Sequence, residues 1–180
     1  IRRCLVGSEM CIRDRYNVNV SPHALSILDS KNISLHRCKV GHSNIKAMMK
    51  ELEADFGGEH SAHFYYKDNY FADSAILTLL MFMTIISERG DKVSTMIDKY
   101  NFPPSSGEVN FVVEDVESSL EKIKTIFTGD FDELDGLSYF DENFWFNVRG
   151  SNTEPKLRLN IEATSQKTLD EVLEKISTNI

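Results

Sequence analysis

From residue 16 the chain alternates short apolar runs with segments of helical period. Tyr16, Val18 and Val20 alternate with asparagines, which predicts a strand over 16–20. Ser21 then offers a capping oxygen, and Pro22 suits the first helical position, where its missing N–H costs nothing. Ala24, Leu25, Ile27 and Leu28 carry that helix to about residue 31, and a second strand is predicted over 33–40. Gly41 turns the chain, and His42 or Ser43 is expected to cap a helix with Ile45, Met48, Met49 and Leu52 on one face. A third strand is predicted over 63–67. Asp73 is expected to cap a long helix over 74–89, followed by another over 93–100. Residues 75–86 are apolar apart from Thr78 and Thr84; the run is too short to span a bilayer and reads as a buried helix.

This β-α-β-α-β-α order predicts an α/β layer domain over 16–100. Residues 101–107, with two prolines, two serines and a glycine, have the composition of a linker. The remainder changes character. Strands are predicted over 108–114, 137–140, 144–148 and 157–161, with helices over 118–127 and 166–176. Leu169, Val172, Leu173 and Ile176 share one stripe of the last helix, so 108–180 reads as a small α+β domain with helices against an antiparallel sheet.

Residues 1–15 show no sustained apolar period and no signal-peptide core. The segment resembles the translated read-through of a sequencing adapter and is read as a non-native leader; a disordered natural extension is the alternative. It carries four arginines against two carboxylates, so the whole-chain charge of −8 becomes −10 without it. That balance argues against a nucleic-acid partner, and no membrane segment is expected. Two of the three cysteines also leave with it. Cys38 alone cannot close an internal disulfide, which points to a reducing, cytoplasmic setting, and it reads as a small buried residue rather than a nucleophile. The acidic residues Asp130, Asp132, Glu133, Asp135, Asp141 and Glu142 lack EF-hand spacing, so no metal site is predicted and Asp135-Gly136 is read as a hairpin turn.

Two short polar motifs carry candidate chemistry. In Gly58-Glu59-His60-Ser61-Ala62-His63, residues Glu59, Ser61 and His63 alternate, so an extended segment would turn all three to one side. A carboxylate, a hydroxyl and an imidazole suit the hydroxyls of a sugar. The plainer alternative is three solvated residues at a strand edge. Gly57-Gly58 ahead of them suggests close approach by another group. In Arg149-Gly150-Ser151-Asn152-Thr153-Glu154-Pro155, a guanidinium ends an aromatic strand and is followed by two hydroxyls and an amide, donors suited to a phosphate. The plainer reading there is an ordinary polar turn. Lys156 and Arg158 can add positive field or simply be solvated. His42, at a helix start, can face a ligand or cap the helix.

Residues 16–180 resemble the C-terminal half of the α-D-phosphohexomutase superfamily. Val40-Gly41-His42-Ser43-Asn44-Ile45-Lys46 is similar to the family's V-G-H-x-x-I-K run, and Glu59-His60-Ser61-Ala62-His63 to its sugar-specificity loop. The run from Asp68 to Ser74 and the loop from Arg149 to Pro155 resemble the segments that follow in family order. Ser151-Asn152-Thr153 and the continuation from Leu157 to Ala163 resemble the phosphomannomutase branch. Two departures stand out: Ala62 replaces a common glycine, and Asn19 stands where many relatives have lysine.

The resemblance implies a three-layer α/β domain three over 16–100, the linker, and a TATA-box-binding-protein-like domain four over 108–180. It implies reversible exchange of mannose 6-phosphate and mannose 1-phosphate through a sugar 1,6-bisphosphate. By that likeness His42, Glu59, Ser61 and His63 contact the sugar, His63 transfers a proton, and Arg149, Ser151, Asn152 and Thr153 hold the nonreacting phosphate. The family's phosphoserine motif T-x-S-H-N and magnesium loop D-G-D-x-D-R, which belong to domains one and two, do not occur in this sequence. The chain alone is therefore expected to bind no Mg2+ and to transfer no phosphate. A phosphoglucomutase or phosphoglucosamine mutase fragment, or a stand-alone phosphosugar-binding module, are the alternatives.

Overall fold

The computed structural model describes residues 13–31, 33–151 and 154–180, with side chains from Tyr16 onward. Two units meet between Phe102 and Pro103.

The first unit runs β1 (Arg13–Asn17), α1 (Pro22–Asp29), β2 (Ser34–Cys38), α2 (His42–Glu51), β3 (Phe56–Gly58), β4 (Phe64–Tyr66), β5 (Ala72–Asp73), α3 (Ala75–Arg89) and α4 (Val93–Asp98). Its sheet has the order β2-β1-β3-β4-β5. β1 pairs in parallel with β2 and β3, and β4 pairs antiparallel with both β3 and β5. The parallel neighbours are reached by helical crossovers, as such pairs require. Ser21 caps α1 as expected, its Oγ accepting from Ala24 N–H at 3.3 Å.

The first strand lies three residues earlier than its pattern suggested. The backbone of residues 13–15, part of the expected leader, pairs with Ser34, Leu35 and His36. Val18 and Asn19 turn instead, because Asn17 binds its own backbone neighbours. Its side chain accepts from Asn19 N–H at 3.2 Å, and its carbonyl accepts from Val20 N–H at 3.2 Å. Residues 1–12 lie outside the described residues.

Two capping expectations are corrected. Gly41, at φ +121°, is the N-cap of α2, and neither His42 nor Ser43 caps it; both are exposed in its first turn. Ser74 rather than Asp73 caps α3, its Oγ accepting from Leu77 N–H at 3.2 Å. The Asp73 carboxylate is engaged elsewhere. Nor is α3 buried. Ile76 is 73% exposed, and Leu79, Leu80 and Met83 are each more than half exposed. A helix apolar all round has more than one greasy stripe. Here its inner side, where Thr78 bonds the Tyr66 hydroxyl at 2.8 Å, is the one turned to the sheet.

The core of this unit gathers Cys38, Ile45, Met49, Ala54 and Tyr65. Gly57 makes that packing possible, since a Cβ there would stand 2.7 Å from Met49 Sδ. At Gly57 the close approach that the glycine pair suggested is made by α2.

The second unit runs β6 (Ser105–Val112), α5 (Val116–Ile126), β7 (Leu137–Phe140), β8 (Phe144–Gly150), β9 (Lys156–Ala163) and α6 (Gln166–Ser177). The sheet is antiparallel in the order β6-β9-β8-β7. β6 begins inside the expected linker, at a bulge between Ser105 and Glu108 where Gly107 takes φ +61°. Phe146, Val148, Leu157, Leu159 and Ile161 pack on Ile123 of α5 and on Leu169, Val172 and Ile176 of α6. By the two-residue alternation of a strand, Asn147, Arg149, Arg158 and Asn160 occupy the opposite face. Asp135-Gly136 forms a turn, as expected, closed by an antiparallel bridge between Asp132 and Ser138. It lies before β7, and the mutual backbone bonds of that bridge are 3.0 and 2.8 Å.

Candidate functional site

In the first unit, the segment from Glu59 to His63 is a tight turn, not an extended run. Ala62 N–H donates to the Glu59 carbonyl at 3.0 Å, and Glu59 N–H to the His63 carbonyl at 2.9 Å, closing the β3–β4 hairpin. The alternation argument therefore fails, and the turn does the gathering instead. Ala62 sits at φ +63°, the left-handed region that glycine occupies without strain. That geometry accounts for glycine being the commoner residue there.

Glu59 is nearly buried. Its Oε1 accepts from Gly41 N–H and its Oε2 from the Ser61 hydroxyl, each at 3.2 Å. One carboxylate thus ties the sugar-motif turn to the start of α2, where His42 is the first, exposed residue. Each carboxylate oxygen has a second lone pair, and Ser61 can still accept. His60 and His63 are exposed. His63 Nδ1 lies 2.6 Å from Asp73 Oδ2, while Asp73 Oδ1 accepts from Phe64 N–H at 3.2 Å. Asp73 was missed as a site residue because a serine-preceded helix start makes aspartate look like a cap. Only the β4–β5 pairing, with Tyr65 opposite Asp73, reveals its partner. Tyr65, opposite Asp73, is fully buried, and its hydroxyl has no hydrogen-bond partner among the described residues. Burial, with the nearby charges of Glu59, Asp73 and Cys38, pushes its pKa up to about 12.

In the second unit, Arg149 on β8 stands directly opposite Arg158 on β9. Like charges in that register repel. Glu108 on β6 lies against both: its Oε1 accepts from Arg158 Nη1 at 3.2 Å, and its Oε2 is 3.9 Å from Arg149 Nη2. Two guanidinium groups sharing one carboxylate leave this cluster with a net positive charge. Arg149 is buried, and its Nε has no hydrogen-bond partner among the described residues. Ser151 N–H donates to the Lys156 carbonyl at 2.8 Å, closing the loop beside it. Lys156 pairs with Glu154 at 3.1 Å. Asn152 and Thr153 lie outside the described residues. Glu108 was missed because its two partners are 41 and 50 residues away in sequence.

Family matches agree with this domain order. Residues 16–101 match "Phosphoglucomutase/phosphomannomutase, alpha/beta/alpha domain III", and residues 108–178 match the C-terminal domain of the same family. The chain belongs to the phosphoglucomutase/phosphomannomutase family. It is 39% identical over 166 residues to a phosphomannomutase of Methanocaldococcus jannaschii, covering 92% of this chain and 37% of that protein. It is 38% identical over 130 residues to a phosphomannomutase of Vibrio cholerae, covering 69% of this chain and 28% of that one. A crystal structure of a phosphoglucomutase/phosphomannomutase family protein from Burkholderia thailandensis superposes with a TM-score of 0.79 at 25% identity, over 93% of this chain and 37% of that one. The chain therefore spans well under half the length of the relatives it matches. An Aspergillus fumigatus N-acetylphosphoglucosamine mutase, solved with GlcNAc-6P and magnesium, shares the fold over 94% of this chain and 38% of its own, with a TM-score of 0.69 at 14% identity. Among the described residues, no group of three or more His, Cys, Asp and Glu comes together that could hold such an ion. No described helix is long and apolar enough to cross a membrane.

Proposed function

We propose that this chain supplies the sugar-selecting and phosphate-gripping parts of a cytoplasmic phosphomannomutase, which interconverts mannose 6-phosphate and mannose 1-phosphate. The observation that carries the reading is Arg149, a buried cation whose Nε is unpartnered among the described residues and whose one described ion pair is with a shared carboxylate. Such a group is stabilised by an incoming anion, and its planar fork matches phosphate oxygens. Ser151, Asn152 and Thr153 add donors on the adjoining loop. Glu59 and Ser61, which satisfy each other without sugar, accept from and donate to ring hydroxyls when one arrives. His42 contacts the sugar from the start of α2, and His63 moves the hydroxyl proton. Mannose is favoured by the Ser151-Asn152-Thr153 sequence and by the names of relatives such as the phosphomannomutases of Methanocaldococcus jannaschii and Vibrio cholerae.

The phosphoryl donor and the magnesium ion belong to parts of the complete protein absent from this sequence, so the chain binds phosphosugar without turning it over. Isothermal titration of the chain with mannose 6-phosphate, glucose 6-phosphate and glucosamine 6-phosphate tests this. Tightest binding is expected for the mannose ester. A stronger response to glucosamine 6-phosphate would overturn the substrate, and turnover by the pure chain would overturn the division of labour.

A further inference from the structure

A histidine that moves a proton must present one particular ring nitrogen to the substrate. His63 is about half exposed, and among the described residues its ring is held at one atom, by Asp73 Oδ2 at 2.6 Å from Nδ1. The other carboxylate oxygen is not idle. It accepts from the backbone N–H of Phe64 at 3.2 Å, and Asp73 itself is fixed in β5 opposite Tyr65. Both oxygens of Asp73 therefore act as acceptors, from donors on adjacent residues.

A carboxylate can only accept, so the nitrogen facing it must carry the hydrogen. The neutral ring then has its lone pair on Nε2, which has no partner among the described residues. We propose that Asp73 is a positioning residue that holds His63 in the Nδ1–H tautomer, leaving Nε2 to take a proton from a sugar hydroxyl and Oδ2 to stabilise the imidazolium that results. The proton-transfer role rests on the function proposed above; the tautomer does not.

Asparagine is the discriminating replacement. Its single oxygen can serve either Phe64 N–H or His63, and its NH2 group cannot accept. With the oxygen on Phe64, the amide N–H2 faces Nδ1, which must then become the acceptor, and the hydrogen moves to Nε2. In the serine-protease triad, the same aspartate-to-asparagine change sets the wrong tautomer.

The test is long-range proton–nitrogen NMR of the imidazole rings at alkaline pH, on the chain labelled with 15N-histidine. The His63 resonance is assigned by its loss in His63→Gln among the five histidines. The expected result is a predominantly Nδ1–H ring in the unaltered chain and a swing to Nε2–H in Asp73→Asn. An Nε2–H ring in the unaltered chain overturns the proposal, and this measurement needs no folded Asp73 variant. An Nδ1–H ring that persists in a folded Asp73→Asn chain overturns it as well. Absence of mannose 6-phosphate binding in a chain showing the expected tautomers would instead count against the proposed function.

Discussion

Replacing Gly136 with alanine tests how the loop before β7 is fitted to Arg149. Gly136 takes φ +67°, and a Cβ there would run into the Val148 carbonyl and stand 2.6–2.7 Å from Arg149 Cβ and Cα. The left-handed backbone alone costs alanine ~1–2 kcal/mol. The collision is with strand backbone, so no rotamer relieves it and the loop must move. Moving it breaks the paired Asp132 and Ser138 bonds and the Asn147 Nδ2 bond to the Asp135 carbonyl at 3.0 Å. Those are worth roughly 1 kcal/mol each, so the collision adds about 2–3 kcal/mol. Gly107→Ala is the control: its φ is +61°, yet nothing lies within 4 Å of the added Cβ. The assay is urea unfolding followed by the fluorescence of Trp145, the single tryptophan, which is buried in this unit and bonded to Glu162 at 3.1 Å. With a urea slope of ~1–1.5 kcal/mol/M, Gly136→Ala should unfold about 2 M below Gly107→Ala. Equal midpoints would show that the loop does not lie against β8 as described.

Other expectations follow from the same geometry. Glu108→Ala leaves two opposed guanidinium groups without their shared carboxylate and should cost about 2 kcal/mol by the same fluorescence assay. The folded state keeps Tyr65 protonated up to about pH 12. The unfolded chain releases that proton near pH 10, so stability is unaffected by Tyr65 below pH 10 and falls between pH 10 and 12. Tyr65→Phe, which also removes a hydroxyl unpartnered among the described residues, should flatten that alkaline loss in a pH series of urea midpoints. Ile76→Gln on the exposed side of α3 should change stability by no more than about 0.5 kcal/mol while reducing self-association in sedimentation velocity. A large stability loss there would mean that the side chain is packed.

Much of this architecture was legible in the chain. The second unit announced itself because its strands alternate cleanly and Leu169, Val172 and Ile176 mark the buried stripe of α6. The first unit was harder. β3 and β5 are three and two residues long, Phe-Gly-Gly and Ala-Asp, and such fragments carry no period. They exist because β4 offers them its edges. The apolar run of α3 said that the helix is greasy and could not say how much of it would be covered. At the site, Glu59, Ser61 and Arg149 were legible as residue types. Their geometry was not: a turn rather than a strand joins Glu59 to Ser61, and the anchors Asp73 and Glu108 reach their partners only through strand pairing.

The central claim is that Arg149 serves a phosphate rather than the fold. Arg149→Lys keeps the charge beside Glu108 and most of the buried stem but loses the planar fork. The direct measurement is mannose 6-phosphate affinity by titration calorimetry, paired with the Trp145-monitored urea midpoint. The predicted result is an affinity at least ~10-fold weaker, about 1.4 kcal/mol, at an unchanged midpoint. Unchanged affinity, or a midpoint that falls in step with it, would contradict the account.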